Sequence, residues 1–590
     1  MPPGIRFFLP SAPPHPTFAL MRRWNPMPRQ TPPPRSSARP SKPKRSSSFE
    51  RSASPYSSSK SPASAKPARS SPPSPKSSQP LPSSPQPRSS FPSSRPPSSK
   101  PRSPSDPLPV RKLPHIDPPD YVHSSPAAII AHRAGERLVH GHLWVYRTDI
   151  EELVPTKSED IPPGALLRVL DRRNKFYGTA LYSAASQITL RLFSPDELPD
   201  RDSFLSLLEQ RIAAAVARRL PLLSASTDSA RLVFSEADQL PGLVIDRYND
   251  LVLVQILTQG FDFPDVRESI TRSLLQSLAP EFSDSHFRPR AILERPDPRI
   301  RVLEQLPVPS QEPLYLASPI LRADAEGHSA YQHHAEIAAD PPHAPTEHEA
   351  TVFSLNGLRF HYDASAGQKT GAFLDQRDNY AAAAFYAATA PPTSSAERAA
   401  LDVCCYQGGF ALHLARAGCC VTGVDSSRAA LEVAERNLEL NRDNIPDLRD
   451  APHSSSEPLH SGELSNPDWI EADAFTLLRD FASQGQQFSI IVLDPPAFAK
   501  SKRAADSALR GYKELNLRAL QMLVPGGILL TCSCSHHVSL EAFTAVVADA
   551  AADAGRRVTL LETRTAAPDH PVILTLPETH YLKCLICRVD

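Results

Sequence analysis

The chain has 590 residues, room for roughly three or four domains, and its 64 basic and 64 acidic side chains cancel. The balance averages two unlike parts: residues 1–112 hold 20 Lys and Arg against only Glu50 and Asp106, and the remainder holds 44 basic and 62 acidic residues. No run approaches the roughly 18 uninterrupted apolar residues of a membrane span, and all eight cysteines fall between Cys404 and Cys587 without a disulfide-scaffold pattern, so a soluble intracellular protein with no membrane partner is expected.

Residues 1–125 read as a disordered basic arm. Of the 65 prolines, 33 precede Tyr121, beside serine runs such as 46–48 and 57–59, and such composition cannot bury enough apolar surface to offset chain entropy. The first 49 residues contain no acid but do contain Arg6, Arg22, Arg23, Arg29, Arg35, Arg39 and Arg45, the Arg-rich, Ser-rich profile of an organelle transit peptide. Prolines at 10, 13, 14 and 16 would break an amphipathic helix, so a plastid stands beside the mitochondrion as destination, with the cytoplasm as alternative. A nucleic-acid-attracting tail is the competing reading of the arm.

From residue 127 short apolar runs at 143–146, 165–170, 176–181 and 188–193 alternate with turn signals and predict a small β-barrel or sandwich over 126–200. A helix over 202–220, strands at 232–234, 242–246 and 251–257, and a helix near 265–278 make an α+β middle domain, 201–320. Residues 321–350 are His-, Ala- and Pro-rich without periodicity, a loop or insertion. From 351 to 590, strands at 400–405, 420–425, 469–473, 490–494 and 527–532 alternate with helices at 410–417, 427–440 and 509–523, which predicts an open parallel sheet covered on both faces. Residues 442–468 interrupt it as a surface loop, and strands at 558–564 and 581–589 suggest a terminal antiparallel hairpin.

Asp402, Asp425, Asp473 (followed by Ala474) and Asp494 stand at or near successive strand ends and outline one crevice. After the first strand, Tyr406, Gly408 and Gly409 open a helix, where paired glycines let a ligand approach free N–H groups. Asp425 can accept both hydroxyls of a ribose. The spacing departs from the dinucleotide fingerprint, and no phosphate-cradling Gly-Lys-Ser/Thr loop occurs.

These residues are similar to those of class I S-adenosylmethionine-dependent methyltransferases. More narrowly, 367–377 (GQKTGAFLDQR), 405–410 (CYQGGF), 494–502 (DPPAFAKSK) and 569–572 (DHPV) together resemble the bacterial 23S rRNA cytosine-5 methyltransferase family with an N-terminal PUA-like domain. The resemblance covers roughly 127–590. It implies an α/β, Rossmann-like seven-stranded methyltransferase domain behind a PUA-like RNA-binding domain, S-adenosyl-L-methionine over the strand ends, and large-subunit rRNA as acceptor. Phe373, Gln376 and Arg377 would belong to the cofactor-side entry motif. The stretch 141–146 (GHLWVY) is similar to the family's PUA-like entry strand, with Trp144 as an RNA contact and Arg133, Arg137, His140 and Arg147 as a basic face around it; 236–243 (EADQLPGL) resembles its middle domain.

Carbon 5 of a pyrimidine is a poor nucleophile, so methylation there usually begins with a thiolate adding to carbon 6, which demands a positioned cysteine. The resembling family has its cysteine in Ser-Cys-Ser, here Ser533-Cys534-Ser535, which makes Cys534 the expected nucleophile and Cys532, in a Thr-Cys-Ser setting, its competitor. Asp494 would hold the base edge, Phe498 would stack on the base, and Lys500, Lys502 and Arg503 would hold RNA phosphates. The base that removes the carbon-5 proton stays open among His536, His537 and water. No metal is expected: Cys584 and Cys587 on one strand point to opposite faces. Two other readings compete, methylation of a guanine nitrogen, which needs no thiol, and a non-catalytic RNA-binding assembly factor. Homodimerisation stays open.

Overall fold

A computed structural model describes residues 126–156, 160–278, 288–317, 348–365, 371–395, 397–442, 467–499 and 501–590. The expectations for the N-terminal arm, for nearly all of 321–350 and 442–468, and for Lys500 fall outside these residues.

The first sheet is built from β1 (Ala127–Ile130), β2 (Trp144–Tyr146), β3 (Ile150–Val154), β4 (Leu166–Leu170), β5 (Phe176–Tyr182) and β6 (Ile188–Ser194), in the order β2-β6-β5-β4-β1-β3, with α1 (His132–Val139) between β1 and β2. Leu167, Val169, Ala180 and Leu190 close its core completely.

The middle sheet, β11-β10-β9-β8-β7, is laid down by α2 (Arg201–Arg219), β7 (Ala230–Phe234), β8 (Leu243–Tyr248), β9 (Leu251–Ile256), α3 (Pro264–Ser277), β10 (Ala291–Glu294), α4 (Pro298–Glu304) and β11 (Tyr315–Leu316). β9 is apolar at every position but Gln255, because both of its faces are covered. Val252, Val254 and Ile256 meet α2 and α3, whereas Leu251 and Leu253 point the other way, into the core of the C-terminal domain. There a hairpin, β12 (Ala350–Leu355) and β13 (Leu358–Asp363), lays Tyr362 flat on Tyr248 with ring centroids 3.9 Å apart. The middle and C-terminal domains therefore share one apolar core. The hairpin was legible: Asn356-Gly357, both at positive φ, is a favoured two-residue turn between alternating apolar positions.

The C-terminal domain runs α5 (Arg377–Thr389), β14 (Ala399–Val403), α6 (Gly409–Arg416), β15 (Cys420–Asp425), α7 (Arg428–Asn441), β16 (Asp468–Glu471), α8 (Ala474–Ser483), β17 (Phe488–Leu493), α9 (Ala505–Met522), β18 (Leu523–Ser533), α10 (Leu540–Asp553), β19 (Val558–Arg564) and β20 (Lys583–Val589). Its seven strands lie in the order β16-β15-β14-β17-β18-β20-β19, the first five parallel and β20 antiparallel to both neighbours. The expected terminal hairpin is thus present but interleaved. β20 is buried at six of its seven positions and enters the sheet, while β19, with no fully buried position, takes the edge.

One buried carboxylate ties these parts together. Asp569, in the loop between β19 and β20, accepts the backbone N–H of Arg231 on β7 at 2.9 Å, a guanidinium N–H of Arg377 on α5 at 3.2 Å and sits 3.1 Å from Nδ1 of His570. Burial alone would raise its pKa, but His570, Arg377 and the Arg231 amide outweigh burial and hold it well below the usual carboxylate range. Its stabilisation is therefore complete at neutral pH and is lost as pH falls below the ordinary carboxylate value of about 4. Asp569→Ala, which leaves the buried Arg377 only its contact with Asp378, is expected to cost about 3–5 kcal/mol, read as a lower urea midpoint at pH 7; an unchanged midpoint would contradict this role.

Candidate active site

The turn from β14 into α6 is tightly curled: Cys404, Tyr406 and Gly408 have φ of 64°, 50° and 84°. Asp425, at the end of β15, holds it, with Oδ2 accepting the Tyr406 backbone N–H at 3.0 Å and Oδ1 that of Ser427 at 2.9 Å. Each oxygen keeps a second lone pair, and the carboxylate is half-buried at the crevice edge. Phe373 meets the Tyr406 ring edge-on at 5.0 Å, and the Tyr406 hydroxyl donates to the Gly371 carbonyl at 3.1 Å. Phe373 and Tyr406 thus form an aromatic ledge beside Asp425. Asp473 is exposed and caps α8, whose first residue is Ala474, by accepting from the Thr476 backbone N–H at 3.0 Å.

The two glycines also make room for neighbouring side chains. A Cβ on Gly409 would lie 2.5 Å from the Tyr380 ring, and one on Gly408 would lie 3.0 Å from Trp469. The space a side chain would take at each is occupied by neighbouring residues. Below them Asp402 is fully buried; its Oδ2 accepts the Ala411 N–H at 2.8 Å, and its Oδ1 has no partner among the described residues. Burial above all, with Asp494 and Asp425 adding, pushes this carboxyl well above its usual range.

Asp494 follows β17, and its Oδ2 accepts from Gln376 Nε2 at 2.9 Å. Gln376 is itself held by Asn379, which donates to its Oε1 at 2.6 Å and accepts from Arg564 at 2.9 Å. Gln376 therefore orients Asp494. Its neighbour Arg377, expected on the cofactor side, directs its guanidinium to Asp569 and Asp378 instead.

At the end of β18 successive side chains take opposite faces. Ser533 and Ser535, both fully buried, point to α9, where the Tyr512 hydroxyl lies 3.0 Å from each; Ser535 Oγ also accepts the Ala499 N–H at 3.2 Å. Cys532 and Cys534 point to the other face. Cys532 is sealed beside its cross-strand partner Cys584, and burial first, then Cys584, pushes its thiol well above the ordinary range. Cys534 is only half-buried, with Sγ 3.8 Å from the Pro495 carbonyl, next to Asp494. The structure separates the two candidate thiols: one is core and one opens on the crevice.

The remaining expected residues are placed as follows. Phe498 packs against Tyr512 at 4.8 Å and Phe475 at 5.9 Å, so its ring belongs to an aromatic cluster. Trp144 donates from Nε1 to Glu236 Oε1 at 2.9 Å, joining the first sheet to the middle domain, while Arg133 and Arg137 both pair with Asp149. His536 and His537 are exposed, and the Lys502 side chain lies outside the described residues. Cys584 belongs to one core cluster and Cys587 to the other, on opposite faces of β20. The residues sequence reasoning missed are Tyr512, Asn379, Tyr581 and Lys583. The last had a signal, a cation placed directly before the apolar run 584–587.

The PUA-like domain family matches residues 128–195. The ribosomal RNA large subunit methyltransferase I of Tolumonas auensis is 35% identical over 454 residues, covering 76% of this chain and 96% of its own. That of Klebsiella pneumoniae strain 342 is 33% identical over 466 residues, covering 79% and 98%. The chain belongs to the ribosomal RNA large subunit methyltransferase I family. A candidate SAM-dependent methyltransferase from Streptococcus mutans shares the fold, with a TM-score of 0.55 at 18% identity over 78% of this chain and 99% of its own. The cofactor of this fold is S-adenosyl-L-methionine; a second structural neighbour, TM-score 0.56, was solved with SAH. The site fits it: Asp425 has lone pairs for a ribose, the Phe373–Tyr406 ledge offers an apolar wall, and Asp402 leaves an orphaned polar atom beneath the crevice.

The serine clamp makes a prediction for the methyltransferase. Tyr512→Phe removes both serine contacts while keeping the ring, so a loss of about 1–2 kcal/mol in stability should accompany a fall of about tenfold or more in kcat with little change in KM. An unaltered kcat would show that the clamp does not position Cys534.

Proposed function

We propose that the protein transfers a methyl group to carbon 5 of a cytosine in large-subunit rRNA through a covalent bond between Cys534 and the RNA. The half-buried Cys534 thiol at the end of β18, beside Asp494-Pro495, carries this reading, because methylation of a ring nitrogen needs no thiol there. The rRNA acceptor is carried over from the named activity of the relatives, and the PUA-like domain is in keeping with it.

When bound, S-adenosylmethionine supplies the electrophilic methyl group; Asp425, the Phe373–Tyr406 ledge and Asp402 would hold it. Cys534 as thiolate adds to carbon 6, and the electron pair of the 5,6 double bond makes carbon 5 nucleophilic. Asp494, steadied by Gln376, faces the base edge, where a carboxyl group can bond a ring nitrogen or amino group. Once carbon 5 is methylated, loss of its proton re-forms the double bond and the S–C6 bond breaks.

Purified enzyme, labelled S-adenosylmethionine and large-subunit rRNA, followed by nucleoside analysis, test the proposal. Label should appear in 5-methylcytosine, fall by at least about a thousandfold in Cys534→Ala, and persist in Cys532→Ala. Label on guanine, or undiminished 5-methylcytosine in Cys534→Ala, would refute it.

A further inference from the structure

Lys583, the first residue of β20, is 2% exposed. It lies opposite Ser533 in the antiparallel register, and its Nζ folds over the strand end to donate to the Ser535 carbonyl at 2.7 Å and the Tyr581 carbonyl at 2.8 Å. Those two acceptors flank Cys534 and the start of β20. An ammonium has three N–H donors, and among the described residues no carboxylate pairs with this one. Burying an unpaired charge is costly, and a folded protein ordinarily supplies a counter-ion or neutralises the group.

The titratable and charged groups facing this corner are Cys534 just after β18, Tyr512 on α9 and Tyr581 just before β20, the last backed by Asp375, Arg231 and the exposed His536 ring. Of these only Cys534 acts appreciably on Lys583. Burial draws the ammonium down to about 8, and Cys534 works in the opposite sense. Lys583 therefore remains mainly protonated at neutral pH.

We propose that Lys583 is the charge partner of the Cys534 thiolate: a positioning residue that fixes the turn after β18 through two carbonyls and stabilises the ionised sulfur. Ionisation releases the thiol proton to solvent and leaves sulfur anion opposite ammonium; Lys583 keeps its three protons throughout, and no oxidant or reductant is involved. A buried cation with no carboxylate partner among the described residues thus gains a counter-ion when the nucleophile forms. The catalytic use of this pair rests on the reading of Cys534 as nucleophile; the ion pair itself does not.

Iodoacetamide labelling of the full-length protein, with the Cys534 peptide quantified by mass spectrometry between about pH 6 and pH 10, separates the possibilities. Lys583→Gln keeps a donor for the carbonyls without the charge, and Lys583→Arg keeps the charge. The Gln variant should shift the Cys534 profile upward by about one pH unit or more, so that alkylation at neutral pH slows about tenfold, and Arg should restore most of it, with thermal midpoints confirming that both fold. A Gln profile superimposed on the wild type would overturn the proposal even if activity were lost, since Lys583 would then be a strand-end cap alone. If Cys534→Ala still makes 5-methylcytosine, the nucleophile reading fails separately, and the catalytic role of Lys583 with it.

Discussion

A β-strand presents successive side chains to opposite faces, and at the end of β18 that alternation decides the chemistry of the site. The serines at 533 and 535 go to the α9 face and are held by one tyrosine hydroxyl, so the residue between them has no freedom of direction. Cys534 must point toward the crevice, beside the carbonyl of Pro495. Cys532, two residues earlier, faces the same way but one step deeper, where Cys584 and the shared core close over it. Depth at one strand end, rather than any difference in residue type, separates the proposed nucleophile from a packing thiol.

Electrostatics in the crevice follows from the same crowding of strand ends. Asp402, Asp425 and Asp494 converge, and the protein distributes them differently: Asp425 is steadied by two backbone N–H groups, Asp494 by Gln376, and Asp402 is buried deeply enough to favour its neutral form. On the far side the buried ammonium of Lys583 sits on the Ser535 carbonyl, one residue from the thiol proposed to ionise. The DHPV loop has an unrelated task. Its aspartate clamps β7 to α5 and so fixes the middle domain against the helix that directly follows Gln376.

Much of this was legible in the sequence. The strand–helix alternation after residue 399, the aspartates at the strand ends and the Ser-Cys-Ser run all sit where spacing put them. The helices α5 and α10 escaped notice because their alanine-rich stretches show no apolar stripe; the ten-residue α8 carries such a stripe in Phe475, Leu477, Leu478 and Phe481 and was passed over. The Asn356-Gly357 hairpin had a signal that was passed over. What could not be read was partnership. Trp144, Phe498 and Arg377 have the composition of ligand-binding residues, but Glu236, Tyr512 and Asp569 lie 92, 14 and 192 positions away in the chain, and only folding brings them together. The glycines at 408 and 409 likewise make room for Trp469 and Tyr380, a need that spacing does not reveal.

The central claim is a covalent bond between Cys534 and carbon 6 of a cytosine. Large-subunit rRNA substituted with 5-fluorocytosine, incubated with the enzyme and S-adenosylmethionine, should yield a denaturation-resistant protein–RNA adduct, because fluorine cannot leave carbon 5 as a proton does. Proteolysis of that adduct should place the RNA on the peptide containing Ser533-Cys534-Ser535, and Cys534→Ala should form none. An adduct that survives in Cys534→Ala, or methylation of unsubstituted cytosine with no adduct at all from the fluorinated RNA, would contradict the account.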